Sequence, residues 1–487
     1  MIPHRSTCGR LVIRKRQIAI SLDNLARIIA QRYHPAILGA NSSSRWAQRF
    51  SIFTCDPIET VRVPDSASDP LSLLARSLDR YRLDLQDHPS LPPGIFCGGW
   101  IGYFNYDLCR KIEQIQTNPS ILEDHFPLIG LGLYDRAIVF DHTDFSIWLI
   151  AVSFPDDRMG SDEKLDTLED LLQQAARLPE IRLPRPDSSR RRSSVIHSEM
   201  SRSYYDESLR KIHRYILDGE VYQINFARQF SCPFDADPLD LFVWHNQHNP
   251  SPYAAFVADG DLAIVSASPE MFLTIHGEQI RTQPIKGTRP RIGDSPDAER
   301  FNRLQFQDLA GSEKEQAELN MIIDLERNDL HRICRPGTVE VIQPRTIEAF
   351  PTLFHAVATI AGSLRRPPVE YGLSSFCEIL RAVFPGGSIT GAPKIRAMQI
   401  IEQLEPVRRG IYTGSIGFLG LDGSACLNIA IRTCIISNGA ARFSAGGGIV
   451  VDSDTCAEWD ETQVKARALL AGLSEVENRR PTIQTIS

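Results

Sequence analysis

Two dipeptides near the end of the chain constrain its fold more than any other feature. Asp422-Gly423 and Asn438-Gly439 divide residues 414–450 into three strand-like runs. Such dipeptides accept the positive backbone angles of a tight turn, so each predicts a hairpin between antiparallel strands. A parallel, doubly wound sheet would need a long crossover between successive strands. Because helix-like segments are interspersed among the strands elsewhere, the pattern predicts an α+β fold.

Two structured regions and a linker are predicted along the chain. Residues 163–178 and 204–219 carry apolar residues at helical spacing, and Gly219 closes the second helix. Residues 36–40, 136–140 and 145–154 are typical of strands. Proline, serine and arginine dominate the stretch before residue 200, which predicts an exposed linker. The predicted divisions are an N-terminal region (21–180), the linker (181–200), a second region (201–475) and a tail (476–487).

The first 20 residues are basic and contain no acidic side chain. This composition is typical of a disordered basic tail, and a targeting segment has the same appearance. We expect the tail, and no secretory signal, because no apolar stretch of the required kind is present.

Overall charge excludes several classes of protein. The 487 residues include 53 Lys and Arg and 60 Asp and Glu, for a net charge of −7, which provides no general basic field for nucleic acid. No apolar run approaches the roughly 20 residues that cross a membrane. The ten cysteines are scattered, without the spacing of a zinc site, which is typical of reduced thiols in the cytoplasm.

Two helix-like stretches carry carboxylates on one face. Glu315 and Glu318 are three residues apart, and Glu458, Glu461 and Lys465 follow the same rule in a second stretch. Two such helices could hold Mg²⁺, which prefers oxygen ligands. A solvated helix face with internal ion pairs is the alternative that these residues alone leave open.

Two further segments have both a functional and a structural interpretation. The glycines Gly446–Gly448 could form a backbone nest for an anion, or a flexible turn. Lys286 lies in a strand-like segment, where a solvated lysine is ordinary and a buried one would become a nucleophile. No phosphate-binding P-loop, dinucleotide fingerprint or GxSxG nucleophile elbow is found. His245 and His248 lack a nearby acidic partner and are interpreted as structural.

Ten segments, in order along the chain, resemble the chorismate-utilising enzymes. That family includes anthranilate synthase component I, aminodeoxychorismate synthase component I, isochorismate synthase and salicylate synthase. The resemblance covers almost all of residues 200–475 and, more weakly, the first region through 97–110. It implies an anthranilate synthase component I-like fold, an antiparallel β-sandwich core surrounded by helices. The segments are 219–228, 249–256, 266–272, 284–291, 312–330, 354–362, 384–406, 412–418, 428–433 and 444–465.

The resemblance implies a complete site for chorismate. Glu270 would act as general acid on the C4 hydroxyl, and His355 would lie beside the ring. Mg²⁺, held by Glu318, Glu458 and Glu461, would bind the ring carboxylate. The implied substrate-binding residues are Gln223, Gly287, Thr288, Tyr412, Arg432, Gly446, Gly447, Gly448 and Lys465.

Two positions separate the branches of the family. Gln223 stands where isochorismate and salicylate synthases have a lysine that activates water, so that reaction is not expected. Anthranilate synthases usually read PIAGT where this chain reads PIKGT, with Lys286, as in aminodeoxychorismate synthases. The resemblance therefore implies amination at C4 through a covalent Lys286 intermediate, for 4-aminobenzoate and folate synthesis. Anthranilate synthesis, and a non-catalytic activator of a glutaminase, are the alternatives.

The resemblance also implies partners. No glutaminase cysteine motif is found, so ammonia is expected from a separate glutamine amidotransferase subunit or from free ammonium. An aminodeoxychorismate lyase would act next. Relatives hold tryptophan in the N-terminal region, where Ser42, Ser43 and Arg45 are the matching residues here. Trp459 stands where tyrosine or phenylalanine is common, and Leu319 where many relatives have histidine.

Overall fold

The computed structural model describes residues 7–40, 48–84, 91–119, 121, 126–180, 183, 196–293 and 296–477. Its α-helices are α1 (Leu22–Ala30), α2 (Pro70–Leu78), α3 (Cys109–Ile112), α4 (Ser161–Arg177), α5 (Arg202–Leu217), α6 (Pro238–His248), α7 (Pro296–Gly311), α8 (Glu313–His331), α9 (Pro368–Tyr371), α10 (Ser375–Val383), α11 (Lys394–Leu404) and α12 (Thr455–Glu477). The strands are β1 (Thr7–Arg16), β2 (Ala36–Leu38), β3 (Phe50–Thr54), β4 (Glu59–Val63), β5 (Tyr81–Leu83), β6 (Gly99–Phe104), β7 (Ile129–Tyr134), β8 (Arg136–Asp141), β9 (Ser146–Ser153), β10 (His197–Ser198), β11 (Gln223–Pro233), β12 (Tyr253–Asp259), β13 (Leu262–Ser268), β14 (Met271–His276), β15 (Gln279–Gln283), β16 (Ile285–Pro290), β17 (Glu340–Ala349), β18 (Leu353–Ser363), β19 (Gly391–Ala392), β20 (Ser415–Gly420), β21 (Ala425–Asn428), β22 (Thr433–Ser437) and β23 (Ala440–Ile449).

The strands form two large sheets. One has 13 strands in the order β10-β11-β23-β22-β13-β12-β2-β3-β8-β9-β1-β5, with β19 also paired to β11. The other has ten in the order β16-β18-β15-β14-β21-β20-β6-β7-β4, with β17 also paired to β18. Among the described strands only β1 and β5 pair in parallel. The predicted α+β fold with antiparallel sheets is confirmed.

Alternating side chains divide the core. On β8, Ile138 packs with residues of α1 and α4, whereas its neighbour Val139 belongs to the cluster that includes Trp100 and Leu133 of the second sheet. Successive strand residues point to opposite faces, so one strand serves both the helix layer and the layer between the sheets. The result is a sandwich with helices on its outer side.

The two predicted hairpins exist, but they lie in different sheets. β20 and β21 pair around Gly423 in the ten-stranded sheet, and β22 and β23 pair around Asn438 and Gly439 in the other. Both of these last residues have positive φ, as the predicted turn requires. The single strand expected between the two turns is therefore wrong. It breaks at 429–432, where the chain crosses from one sheet to the other.

Residues Thr7–Arg16, which the sequence analysis assigned to a basic tail, form β1. This strand pairs with β9 from Arg10 to Arg16. Its basic side chains meet acidic ones of α4, since Arg14 contacts Asp166 at 2.8 Å and Arg16 contacts Glu169 at 2.9 Å. The positive charge that resembled a tail is instead paired on the surface of a sheet.

The N-terminal region and the second region are interleaved. β2, β3 and β8 extend the sheet that contains β12 and β13, and β6 and β7 extend the one that contains β20. Neither region has a sheet of its own, so the described parts of 21–180 and 201–475 build one sandwich. Most of the predicted linker and residues 478–487 of the predicted tail lie outside the described residues. No helix in the described part of the chain has the length and apolar character needed to span a membrane.

Candidate active site

Glu270 and Lys286 lie close enough for the charge of each to influence the other, with Lys286 on the edge strand β16 of the ten-stranded sheet. Glu270 lies between β13 and β14 and is buried, and the backbone N–H of Ile285 donates to its Oε1 at 3.4 Å. A register shift in β16 between Ile285 and Thr288 accompanies the turn of Lys286 toward the short 3-10 helix Gly387–Ile389. There its Nζ donates to the backbone oxygen of Ser388 at 3.0 Å.

Burial tunes both groups toward their uncharged forms. It raises the pKa of Glu270 and lowers the pKa of Lys286, while the charge of each opposes the shift of the other. A carboxyl that keeps its proton beside an amine that loses one can act as general acid and nucleophile on a single substrate.

His355 lies beside Arg432 on the same site. Thr288 and His355 are direct partners across β16 and β18, and Thr288 Oγ1 is 2.9 Å from His355 Nδ1. Arg432 Nη2 is 3.4 Å from Nε2, and because a guanidinium only donates, the ring proton lies on Nδ1. Burial and the charge of Arg432 lower the pKa of His355 to about 3, so the ring stays neutral.

Arg432 is held in an uncommon backbone conformation. Its φ is 49°, at the crossing between the two sheets, and its carbonyl accepts from Ala267 N–H at 3.0 Å. Burial lowers the pKa of Arg432 to about 10, which leaves the side chain protonated at neutral pH. The crossing thus delivers a positive charge to the interior, as an anionic substrate requires.

The three glycines lie within β23, so neither the nest nor the flexible turn is correct. They pair with β11, where Gly446, Gly447 and Gly448 face Ala227, Phe226 and Asn225. A Cβ would lie 2.6 Å from Phe226 O at Gly446, 3.0 Å from Glu458 Oε2 at Gly447, and 2.0 Å from Gln223 Nε2 at Gly448. Close approach by neighbours, and not conformational freedom, therefore explains the glycines.

Helix α12 presents its carboxylates to Gly447. Glu458 Oε1 accepts from Ser453 Oγ at 2.7 Å, and burial raises its pKa. Burial acts against the charge of Glu461, but Lys465, 2.7 Å away, together with Lys286 and Lys314, outweighs burial and lowers the pKa of Glu461. Lys465 Nζ also donates to Gly446 O at 2.8 Å, which joins the helix to β23.

This arrangement fits Mg²⁺ with two protein ligands. Glu458 and Glu461 lie 3.0 and 3.5 Å from the point that a Cβ of residue 447 would occupy, so the glycine leaves a cradle lined by carboxylate oxygens. Within the described residues no group of three or more His, Cys, Asp or Glu side chains is close enough to hold a metal. Glu318, on α8, does not complete a group of three such side chains with Glu458 and Glu461. Its role as a metal ligand therefore stays a prediction.

Other predicted substrate-binding residues take varied positions. Gln223 is buried, with its Oε1 lacking a partner among the described residues, so it can still accept a hydrogen bond. Tyr412 is buried near Arg409, and burial raises its pKa. Gly287, with φ at 85°, faces Glu315 and Leu309.

Two residues of this site had no role in the sequence analysis. Ser388 holds Lys286 through its backbone oxygen, which no side-chain motif could reveal. Glu326 of α8 is buried behind Glu270 and accepts from Thr282 Oγ1 at 2.7 Å. Burial and the charge of Glu270, which is more than 50 residues away along the chain, raise the pKa of Glu326, so the local sequence gives no sign of this role.

Ser42, Ser43 and Arg45, the predicted tryptophan-binding residues, lie outside the described residues. Among the described residues, a cavity of about 250 Å³ lies between the sheets and is lined by Leu38, Tyr253 and Phe418, among others. The tryptophan pocket stays a prediction.

Comparisons with known proteins identify the family of this chain. A family model described as chorismate binding enzyme matches residues 42–471. Aminodeoxychorismate synthase component 1 of Klebsiella aerogenes is 38% identical over 426 residues, covering 87% of this chain and 88% of that protein. Anthranilate synthase component 1 of Pseudomonas aeruginosa is 36% identical over 428 residues, with 87% and 83% covered.

Solved structures give the same result. The crystal structure of anthranilate synthase component I from Streptococcus pneumoniae TIGR4 superimposes with a TM-score of 0.71 at 28% identity, covering 87% of this chain and 92% of that one. The predicted anthranilate synthase component I-like fold is confirmed. Relatives with two different activities have nearly equal identity, so identity alone does not separate the activities.

Proposed function

Because the chain belongs to the chorismate-binding enzymes, we propose that it aminates chorismate at C4 to give 4-amino-4-deoxychorismate. The observation that carries this proposal is Lys286, a partly buried amine beside the buried acid Glu270. A lysine with a lowered pKa in that position serves nucleophilic attack, and an alanine there could not.

The first step joins the enzyme to the ring. Neutral Lys286 Nζ forms a bond to C2, both ring double bonds shift so that C1=C2 and C5=C6 become C1=C6 and C4=C5, and the C4 hydroxyl leaves with the Glu270 proton as water. The Glu270 carboxylate then takes the proton that the new secondary ammonium releases. The lowered pKa of Lys286 and the raised pKa of Glu270 both favour the starting protonation states.

The second step releases the product. Ammonia forms a bond to C4, both double bonds shift back to C5=C6 and C1=C2, and the C2–N bond breaks. Glu270 returns its proton to the departing Lys286 amine and takes one from the new C4 ammonium. The balance is chorismate plus ammonia to 4-amino-4-deoxychorismate plus water, with the enzyme regenerated.

Several residues would hold the substrate during both steps. Arg432 and Lys465 supply positive charge for its carboxylates, and neutral His355 lies beside Arg432 without adding charge. Gln223 would accept a hydrogen bond from the ring hydroxyl through its Oε1, which has no partner among the described residues. Mg²⁺ held by Glu458 and Glu461, with Glu318 as the third proposed ligand, would neutralise a substrate carboxylate and act as Lewis acid when bound.

Ammonia would come from a glutamine amidotransferase partner. The name component 1, carried by the Klebsiella and Pseudomonas relatives, supports a second component. A lyase acting afterwards would convert the product to 4-aminobenzoate. The site itself needs only ammonia, so free ammonium should replace the partner in the test.

The product decides between the activities. Purified protein is incubated with chorismate, Mg²⁺ and an ammonium salt, and the products are separated by chromatography with fluorescence and mass detection. We expect 4-amino-4-deoxychorismate. Fluorescent anthranilate with pyruvate would favour the anthranilate synthase activity, and unchanged chorismate would favour a non-catalytic activator of a glutaminase.

A lysine variant tests the covalent step. Lys286→Ala should lose C4 amination, and wild-type protein with chorismate but without ammonia should gain the mass of a dehydrated chorismate. Lys211→Ala, which removes an exposed lysine paired with Glu207, is the matched control and should retain both properties. Full-rate C4 amination by Lys286→Ala would rule out the covalent mechanism.

A further inference from the structure

The guanidinium of Arg228, on β11, lies over the ring of Trp459 in α12, the helix that carries Glu458 and Glu461. Its guanidinium carbon is 3.3 Å from the centre of the Trp459 ring, and its Nη1 donates to Thr462 Oγ1 at 3.0 Å. Tyr205 and Phe230 complete an aromatic enclosure at 5.9 and 4.9 Å. The residue is only 3% exposed.

Aromatic rings and hydroxyls surround the charge of Arg228. Within the described residues it makes no ion pair, its Nη2 donates to Ser198 Oγ at 3.5 Å, and its buried Nε has no hydrogen-bond partner. A planar guanidinium desolvates at lower cost than an ammonium and stacks on aromatic faces, so arginine suits such an enclosure. The aromatic enclosure therefore requires the planar guanidinium of arginine, and a positive charge alone would not fill it equally well.

The two contacts on α12 interleave with the carboxylates. Trp459 follows Glu458, and Thr462 follows Glu461. Successive residues of a helix are rotated by about 100° around its axis. The face that carries Trp459 and Thr462 is therefore rotated by about 100° from the face that carries Glu458 and Glu461. Fixing Trp459 and Thr462 against β11 consequently fixes the rotation of the helix that brings both carboxylates over Gly447 of β23, the neighbour of β11 in the sheet.

We propose that Arg228 is a positioning residue that sets the rotation of α12 and thereby the geometry of the Glu458–Glu461 metal cradle. The proposal rests on the metal role given to these glutamates under the proposed function. It also accounts for tryptophan at residue 459, since its ring offers Arg228 the largest stacking surface of any side chain.

Metal binding without substrate provides the test. Mn²⁺ binding to the metal-free full chain is measured by electron paramagnetic resonance, with Mg²⁺ binding followed by calorimetry. Arg228→Lys keeps the charge and loses the planar stack, so the metal dissociation constant should rise about 10–100-fold, as when other residues that orient metal ligands are replaced. At saturating Mg²⁺, kcat should return to within about threefold of wild type, because the reacting groups are untouched.

Three further variants make the result specific. Trp459→Phe keeps a ring under Arg228 and should bind metal within about threefold of wild type, whereas Trp459→Leu should reproduce the Arg228→Lys loss. Arg202→Lys is the matched control, because Arg202 stacks on the same ring from 5.1 Å at the surface. It should leave metal binding unchanged.

Glu461→Gln separates the two proposals. If it weakens Mn²⁺ binding while Arg228→Lys and Trp459→Leu leave binding unchanged, the positioning role is wrong and the metal site stands. If Glu461→Gln itself leaves binding unchanged, the metal site fails and the positioning role fails with it. An equal loss in Arg202→Lys would assign the effect to the Trp459 surroundings in general and overturn the role of Arg228.

Discussion

Replacing the buried acid Glu326 by glutamine should stabilise the protein at neutral pH. Glu326 is 7% exposed on α8, and its Oε2 accepts from Thr282 Oγ1 at 2.7 Å. Burial, with the charges of Glu270 and Asp329, raises its pKa from 4.5 to about 8. The folded protein therefore binds a proton at pH 7 that the unfolded chain does not.

The size of the effect follows from this difference. A group whose pKa is raised on folding contributes its full stability below the unfolded pKa of 4.5 and loses it as pH rises toward 8. Between pH 4.5 and pH 7 the unfolded glutamate loses its proton while the folded one keeps it, over about 2.5 pH units at about 1.4 kcal/mol per unit. Because the unfolded group is already half ionised at pH 4.5, the difference in the free energy of unfolding is about 3 kcal/mol. Glutamine keeps an oxygen for Thr282 and does not titrate. Glu326→Gln should thus gain about 3 kcal/mol over wild type between pH 4.5 and pH 7.

Urea unfolding followed by tryptophan fluorescence measures this difference. The free energy of unfolding of wild type and Glu326→Gln is compared at pH 4.5 and pH 7, so that other titrating groups cancel between the two proteins. Glu378→Gln, at an exposed glutamate paired with Arg366, is the control and should show a much smaller pH dependence. An effect of Glu326→Gln that is the same at both pH values would mean that Glu326 is ionised in the folded protein.

Three other substitutions have defined outcomes. Gly447→Ala places a methyl 3.0 Å from Glu458 Oε2, so the Mg²⁺ concentration for half-maximal activity should rise at least about tenfold. An unchanged concentration would show that Glu458 and Glu461 do not hold the metal beside Gly447. The pKa of buried His245 is lowered to about 4, so wild type should lose about 2 kcal/mol relative to His245→Leu between pH 7.5 and pH 5 in urea unfolding; parallel curves would contradict this. Arg409→Met strands the buried Glu405, which Arg409 Nη2 contacts at 2.7 Å, and should cost about 3–5 kcal/mol by the same assay; a loss below about 1 kcal/mol would show that Glu405 finds another partner.

Local patterns predicted much of the secondary structure. The helical spacing of 163–178 and 204–219 corresponds to α4 and α5, and the two turn dipeptides close real hairpins. These features depend on neighbours within a few residues, so a single sequence contains them. The strand β1 was missed because the acidic partners of its arginines, on α4, are about 150 residues away.

Carboxylate spacing predicted a shared face for Glu458 and Glu461, and the structure turns that face toward Gly447. The spacing could not predict what the face meets. Gly447 is glycine because of these carboxylates, and Gly448 because of a side chain from β11, more than 200 residues earlier.

The sequence by itself therefore determined the class of fold, the helix faces and the family, since periodicity, turn chemistry and ordered motifs are properties of the chain. Only the tertiary structure decided which groups share a pocket. The crossing at 429–432 puts Arg432 beside His355, and burial at the sheet edge makes Lys286 a candidate nucleophile instead of a surface charge. The reason is physical: a pKa depends on solvent exclusion and on charges brought close by packing, and neither is encoded in residues that are adjacent along the chain.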